Sequence, residues 1–511
     1  MFSMAQTRHR AMRTGLATVI LLAVCSLGAG VAAPEARAAT LVNGSGSTYV
    51  ELAMDEWTRS ADARGIKVNY TGVGSPTGVG QYDARQTDYA GTEAEVKSLY
   101  GGRNTLPRGF QYVPDVAGAI AIMYNVRDRG GNRYDKLHLD QRTISRIFTG
   151  EISNWSHPDI TRTNGGVALP DQPIRVVFRT GSSGTTALFY DFVREAARDV
   201  YDRFRSKHNL PDRRITSLPD TPNDVGGQFA PNIVGRGGSD EMAQFVGSSA
   251  WSIGYDEFGY AIKHGVDVAW VKNGAGKWTK PYALNISEAL RDATLRPDLS
   301  QELSGVYTSK NPLAYPISAY SYMMTQCLPG RGRQTCAGPY SDGGKQSTLA
   351  QFMRYVACDG QVKMARIGYS PLPTNLSQEM ENSVARMTGE RPRRLTPGNC
   401  ANPRFHGSLG AGAGPPRDPF ENLPGGVDGA TSGGRNSAGP SASATAGSGS
   451  GAGAGLGTVA GGSGRQQNAK PVGFNGPGVP GLGPLPALVL IGALVVPPAV
   501  MAIRNRNRAR P

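Results

Sequence analysis

Three times in this chain a short apolar stretch runs into a turn of glycine, serine and threonine that opens an amphipathic helix. That repeated design constrains the fold more than any other feature. Leu41-Val42 leads into Gly44-Ser45-Gly46-Ser47-Thr48, after which Tyr49, Leu52, Ala53 and Trp57 recur at helical offsets. Ser47 or Thr48 is placed to cap that helix. Ile66, Val68 and Tyr70 alternate as a strand and end in T-G-V-G-S-P-T-G. Ile174, Val176 and Phe178 alternate into F-R-T-G-S-S-G-T-T, and Leu188, Phe189, Phe192, Val193 and Ala196 continue as a helix face. Apolar runs alternating with helical patterns over about 360 residues read as α/β architecture in two domains or lobes.

The chemistry of these turns points to an anion. The first N–H groups of a helix carry partial positive charge and lack intrahelical partners, so they bind anions readily. Glycine lets the backbone approach a ligand, hydroxyls add donors, and Arg179 supplies a planar charged fork suited to phosphate or carboxylate. Any one turn is explained as an ordinary capped helix start; three in one domain favour an anion site. A nucleophilic Ser182 or Ser183 is disfavoured because G-S-S-G lacks the G-x-S-x-G elbow, and His157, His208 and His264 show no partner spacing. His138, in L-H-L, reads as a strand or loop residue rather than a base. No lysine follows the glycine-rich turn, which excludes a Walker loop.

The ends of the chain place it outside the cytoplasm. Arg8, Arg10 and Arg13 precede an apolar run from Leu16 to Leu27 and then Ala36-Arg37-Ala38, so residues 1–38 read as a cleaved secretory signal peptide. Cys25 raises lipid attachment, but Val24 stands where a small residue is wanted. Cys327, Cys336, Cys358 and Cys400 remain, an even number in an exported chain, and two disulfides are expected. Of three pairings, proximity favours Cys327 with Cys336 and Cys358 with Cys400. Metal binding is the rival, yet no C-x-x-C spacing occurs and only six histidines are present.

Residues 401–484 are rich in Gly, Ala, Ser and Pro, without apolar periodicity, and read as a disordered tether. Residues 485–503 carry no charge and would span about 28 Å as a helix, close to one bilayer core. Arg504, Arg506, Arg508 and Arg510 follow, a basic cytoplasmic tail at 504–511 by the positive-inside rule. The formal net charge of +14 favours anionic partners. Nucleic acid is not expected for an exported chain that carries disulfides.

Beyond the turns, N-G-S-G-S-T-Y at Asn43, V-N-Y-T-G-V-G-S at Val68, R-T-I-S-R-I-F-T-G-E-I-S-N-W at Arg142, F-R-T-G-S-S-G-T-T at Phe178 and W-S-I-G-Y-D-E-F-G-Y-A at Trp251 occur in order, with Y-P-I-S-A-Y at Tyr315 and Y-S-P-L-P at Tyr369 following. Together they resemble the phosphate-binding protein of the phosphate ABC importer, from about Leu41 to Met387. The resemblance implies a two-lobed periplasmic-binding-protein-like fold (type II) with a hinge over 39–400. Lobe 1 would comprise about 39–120 plus 318–400, and lobe 2 about 121–317. It also implies a monomer that encloses inorganic phosphate or a similar tetrahedral oxyanion without cofactor or metal, and an ABC permease as partner.

By the same resemblance Thr48 and Tyr49 would offer backbone N–H and hydroxyl, and Ser75 would do so from the second turn. Arg179, Ser183, Gly184 and Thr185 would meet the anion from the other lobe, and Glu93 would accept the proton of hydrogen phosphate. Two blocks read as scaffold: Asp140 caps a helix that buries Ile144, Ile147 and Phe148 and stops at Gly150, and Trp251 to Tyr260 forms a core strand near the hinge. Two positions depart from the family. Glu93 stands where the family has an aspartate, and Gly181 where it has an aspartate beside the arginine, which predicts a less neutralised Arg179. A secreted phosphatase-like hydrolase and a membrane-anchored sensor or adhesin on the same fold are the rival readings.

Overall fold

The computed structural model describes residues 40–99, 105–181, 183–209, 232–329, 336, 338, 340–416 and 418–420. The chain divides into two units, Met1–Arg435 and Asn436–Pro511, and every described residue lies in the first. The expected signal peptide, Ser182, most of the expected tether, the apolar segment 485–503 and the basic tail lie outside the described residues. Among the described residues no helix is long and apolar enough to cross a membrane.

The strands are β1 (Val42–Gly46), β2 (Val68–Gly72), β3 (Tyr89–Thr92), β4 (Gln111–Asn125), β5 (His138–Asp140), β6 (Arg175–Arg179), β7 (Ile233–Arg236), β8 (Ser252–Glu257), β9 (Asp267–Val268), β10 (Trp270–Lys272), β11 (Trp278–Thr279), β12 (Thr294–Leu295), β13 (Gln301–Glu302) and β14 (Ser318–Thr325). Helices α1 (Glu51–Asp62), α2 (Ser75–Asp83), α3 (Gln141–Phe148), α4 (Gly184–Ala196), α5 (Ser239–Ser248), α6 (Phe258–His264), α7 (Ala283–Ala289), α8 (Gly343–Ala357) and α9 (Thr374–Thr388) pack around them.

One sheet runs in the order β2-β1-β3-β14-β4-β8-β6-β7, with β9 also on β4. Its two ends are parallel sets, β2-β1-β3 and β8-β6-β7. The long strand β4 joins them. Its residues up to Ala119 pair with β14 and those from Ile120 pair with β8, all antiparallel. Parallel strands need crossover helices, which is why each strand–turn–helix unit of the sequence appears on one of these sets.

Local chemistry accounts for most elements. Asp140 caps α3 by accepting from Thr143 N at 2.7 Å; Ile144, Ile147 and Phe148 are buried, and the segment stops at Gly150 with φ 78°. The cap expected for α1 differs. Its N-cap is Val50 with no side-chain bond, because the Ser47 hydroxyl accepts from Tyr49 N instead. The disulfides pair as proximity predicts, Cys327 with Cys336 and Cys358 with Cys400.

The ordered chain runs on past Cys400, where the sequence pattern places the start of the tether. Asn402 is buried and its amide donates to Leu372 O and Ser377 Oγ, and Ala413 O accepts from Leu284 N on α7. Asp418 Oδ1 sits 3.0 Å from His138 Nε2, and Phe420 packs on the His138 ring. His138 is therefore a core residue of β5, flanked by Trp270 and Trp278. Low apolar content does not order this strap; a few buried polar anchors, the buried Phe420 and the partly buried Phe405 do.

Candidate functional site

The six strands of the two parallel sets all point their carboxyl ends at one region. In open α/β sheets that is where ligands bind, because helix N-termini and short loops converge there. Each expected site residue comes from such an end: Thr48 and Tyr49 after β1, Ser75 opening α2 after β2, Glu93 after β3, and Arg179 at the end of β6, with Ser183, Gly184 and Thr185 starting α4.

Arg179 is 2 % exposed, and its guanidinium is held from several sides. Nη1 donates to Thr48 Oγ1 at 3.1 Å and to Ser239 Oγ at 3.2 Å, and Nη2 donates to Gly237 O at 3.1 Å. Thr48 and Ser239 share a hydrogen bond of 2.7 Å between their hydroxyls. Nε is buried without a hydrogen-bond partner. Asp256 Oδ2 lies 3.6 Å from Nη1, with both side chains almost wholly buried.

Glu93, also 2 % exposed, organises the second cluster. Ser75 Oγ donates to Glu93 Oε2 at 2.5 Å, and Thr185 Oγ1 donates to Oε1 at 2.8 Å. One carboxylate thus ties the start of α2, on the first parallel set, to the start of α4, on the second. This burial rules out a surface position for Glu93. Gly184 makes the approach possible, since a Cβ there would stand 2.7 Å from the Glu93 carboxyl carbon. Gln301 Nε2 donates to Glu93 O at 3.0 Å and fixes its backbone.

The remaining expected residues have defined but different parts. Ser183 caps α4, its hydroxyl accepting from Thr186 N at 3.3 Å, which gives that serine a structural use. Tyr49 is fully buried. Its amide is spent on Ser47 Oγ rather than left for a ligand, Tyr369 OH donates to its carbonyl, and its own hydroxyl has no partner. Burial, reinforced by Glu257, Glu93, Asp256 and Asp115, holds the Tyr49 phenol far above its ordinary range, so it stays neutral.

The electrostatics correct one expectation. Glycine at 181 predicts a less neutralised Arg179, but Asp256 on β8 supplies a counter-charge. Burial pushes the Asp256 carboxyl up and Arg179 opposes that shift. Glu257 beside it is pushed well above the usual carboxylate range by burial. Sequence reading assigned Trp251 to Tyr260 to the core and so passed over Asp256; it missed Ser239 and Gly237 because residues 232–239 show no strand–turn–helix signature as clear as the other three. The signal available was a charged D-E pair ending an apolar strand, since ionisable residues are rarely buried without a partner.

The arrangement can bind and enclose a small polyoxyanion. It offers hydroxyls at Thr48, Ser75, Thr185 and Ser239, the free amides of a helix start, and one guanidinium with a spare N–H. Carboxylates face it from Glu93 and Asp256. Among the described residues no group of His, Cys, Asp and Glu is arranged to hold a metal.

Fold and site together define a solute receptor of the periplasmic-binding type. Residues 31–359 match the PBP superfamily domain, well over half of the chain, and the protein belongs to that family. Phosphate-binding protein PstS of Xylella fastidiosa is 24 % identical over 342 residues, covering 66 % of this chain and 84 % of the relative. Phosphate-binding protein PstS 3 of Mycobacterium leprae is 26 % identical over 351 residues, covering 66 % and 85 %. Among solved structures, the phosphate-binding protein from Stenotrophomonas maltophilia matches with TM-score 0.48 and 18 % identity, covering 74 % of this chain and all of that one.

Proposed function

We propose that this protein binds inorganic phosphate outside the cytoplasm for delivery to an ABC importer. The observation that carries this reading is the convergence of Arg179 and four buried hydroxyls, drawn from both parallel sets, on one enclosed region beside the start of α4. Relatives that align over about two thirds of the chain and carry the name phosphate-binding protein support the same ligand.

The binding set we infer is Thr48, Tyr49, Ser75, Glu93, Arg179, Ser183, Gly184 and Thr185. Thr48 donates through its hydroxyl, Ser75 and Thr185 through theirs once the ion draws them from Glu93, Gly184 through its amide, and Arg179 through the spare Nε–H as well as its terminal nitrogens. Ser183 contributes mainly by fixing the first turn of α4, and Tyr49 as a neutral wall. Glu93 would accept the proton of hydrogen phosphate. A fully ionised oxyanion brings no such proton and would face the carboxylate with nothing to donate. No bond to the ligand is made or broken.

We further propose that the hinge lies where β4 changes partner, at 119–120, and where the chain re-enters the first set at β14. Lobes of about 39–120 plus 318–400 and about 121–317 would close on the ion, and the closed form would be what the permease recognises. Residues 1–38 would direct export, and 485–503 would anchor a monomer to the membrane through the tether.

Isothermal calorimetry on the full chain tests this reading. Phosphate should bind tightly at neutral pH with sulfate far weaker, and Arg179→Ala should abolish tight binding. Unchanged affinity in that variant would remove the basis of the assignment.

A further inference from the structure

Asp256 is an unusual residue to find beside an anion site. It is the penultimate residue of β8, and strand alternation places it opposite Tyr255. Tyr255 points into the aromatic core, stacked on Phe189 at 4.2 Å and bonded to Thr186. Asp256 is fully buried on the other side, where Oδ1 accepts from Glu257 N at 2.8 Å and Oδ2 faces Arg179 Nη1 at 3.6 Å. The same Nη1 donates to Thr48 and Ser239, so Asp256 bears on the group that joins the two parallel sets. Glu93 acts on Asp256 as a like charge and adds to the upward push of burial on that carboxyl.

We propose that Asp256 is the positioning and charge-setting partner of Arg179, and that with Glu93 it restricts the site to tetrahedral oxyanions that carry a proton. This rests on the phosphate-binding reading above. Glu93 alone can reward a ligand proton by accepting it. Asp256 acts differently: it cancels part of the arginine charge, so a dianion such as sulfate gains too little from Arg179 to offset its lost hydration, whereas phosphate can enter as the singly charged dihydrogen form. The counter-charge that the resemblance leads one to expect at 181 is thus supplied from another strand.

Position 181, where the resemblance leads one to expect a carboxylate beside the arginine, has room for one. Gly181 is exposed, with open space where a Cβ would be added, and although its φ of 69° is left-handed, aspartate tolerates that region better than most residues. Asp256→Asn keeps the shape of the side chain and an acceptor for Glu257 N while deleting the charge.

The test measures phosphate and sulfate affinity by calorimetry on the full chain for wild type, Asp256→Asn, Gly181→Asp and the double variant. The proposal expects the sulfate-to-phosphate affinity ratio to rise at least tenfold in Asp256→Asn and to fall back by at least threefold when Gly181→Asp is added. A purely structural role for Asp256 lowers both affinities together and leaves the ratio where it was, which would overturn the proposal. Should Asp256→Asn fail to fold, Gly181→Asp alone decides: an added carboxylate beside Arg179 should lower the ratio at least threefold, and an unchanged ratio counts against the idea. A wild type that binds no phosphate would instead refute the parent reading.

Discussion

The contact between Gly184 and Glu93 gives the sharpest prediction. A methyl group at 184 would sit 2.7 Å from the Glu93 carboxyl carbon and 2.8 and 2.9 Å from its oxygens, whereas unbonded carbons settle at about 3.5–4.0 Å. The carboxylate is the far end of a flexible side chain, but Ser75 and Thr185 tether both of its oxygens. Gly184→Ala must therefore either strain the start of α4, at about 1–3 kcal/mol, or break hydrogen bonds to a charged group worth about 1.5–3 kcal/mol each. A loss of about 2 kcal/mol corresponds to roughly thirtyfold in affinity. Glu93→Asp, one methylene shorter, withdraws the carboxyl carbon and makes room for the methyl. Calorimetry on the two single variants and the double variant should show Gly184→Ala costing about thirtyfold in the parent and much less beside Glu93→Asp, with coupling of at least about 1 kcal/mol. Strictly additive effects, or a Gly184→Ala protein that binds phosphate within twofold of the parent, would refute the reasoning.

Other consequences can be read from single residues. Asp115 is fully buried, and burial pushes its carboxyl well above the usual carboxylate range, so its share of stability is complete below the unfolded pKa and is lost as pH rises through the folded one. Asp115→Asn should therefore raise the melting temperature at pH 8 by roughly 3 °C or more and have little effect at pH 4, taking about 2–4 °C per kcal/mol for a large domain; equal shifts at both pH values would contradict this. Asp418→Ala should leave His138 without its buried hydrogen-bond partner and cost about 1–3 kcal/mol, with faster amide exchange along 402–420; a strap that exchanges as before would show that the pair is incidental. Replacing Cys358 and Cys400 by serine opens a loop with a sequence separation of 42 and should cost about 4 kcal/mol of unfolding free energy, measured by denaturant titration. Glu93→Gln should relax rejection of sulfate, and a wild type that already binds sulfate as well as phosphate would make the proton-acceptor role wrong.

The parts of the fold legible in the sequence were those that local physics dictates. Alternation in Ile174, Val176 and Phe178 and the turn that follows define β6 and α4 because side chains must alternate across a strand and helix starts need caps and glycine. The Asp140 cap and the buried face of α3 were visible for the same reason. What remained hidden depends on long-range pairing. Asp256 reads as one charged residue at the end of an apolar strand, and only the adjacency of β8 to β6 brings it to Arg179. Ser239 becomes visible only when β7 pairs with β6 and carries its loop to Thr48. The strap at 402–420 was concealed by composition, since a glycine-rich segment that docks through Asn402, Asp418 and Phe420 looks much like one that does not.

A crystal structure of the full chain grown with phosphate tests the account most directly. The predicted result is a tetrahedral ion sealed between the two parallel sets, within hydrogen-bond distance of Thr48, Ser75, Thr185 and the Arg179 guanidinium, with Glu93 close to one phosphate oxygen. Phosphate bound elsewhere, or Arg179 still turned to Gly237 while the ion lies outside this ring of hydroxyls, would contradict it.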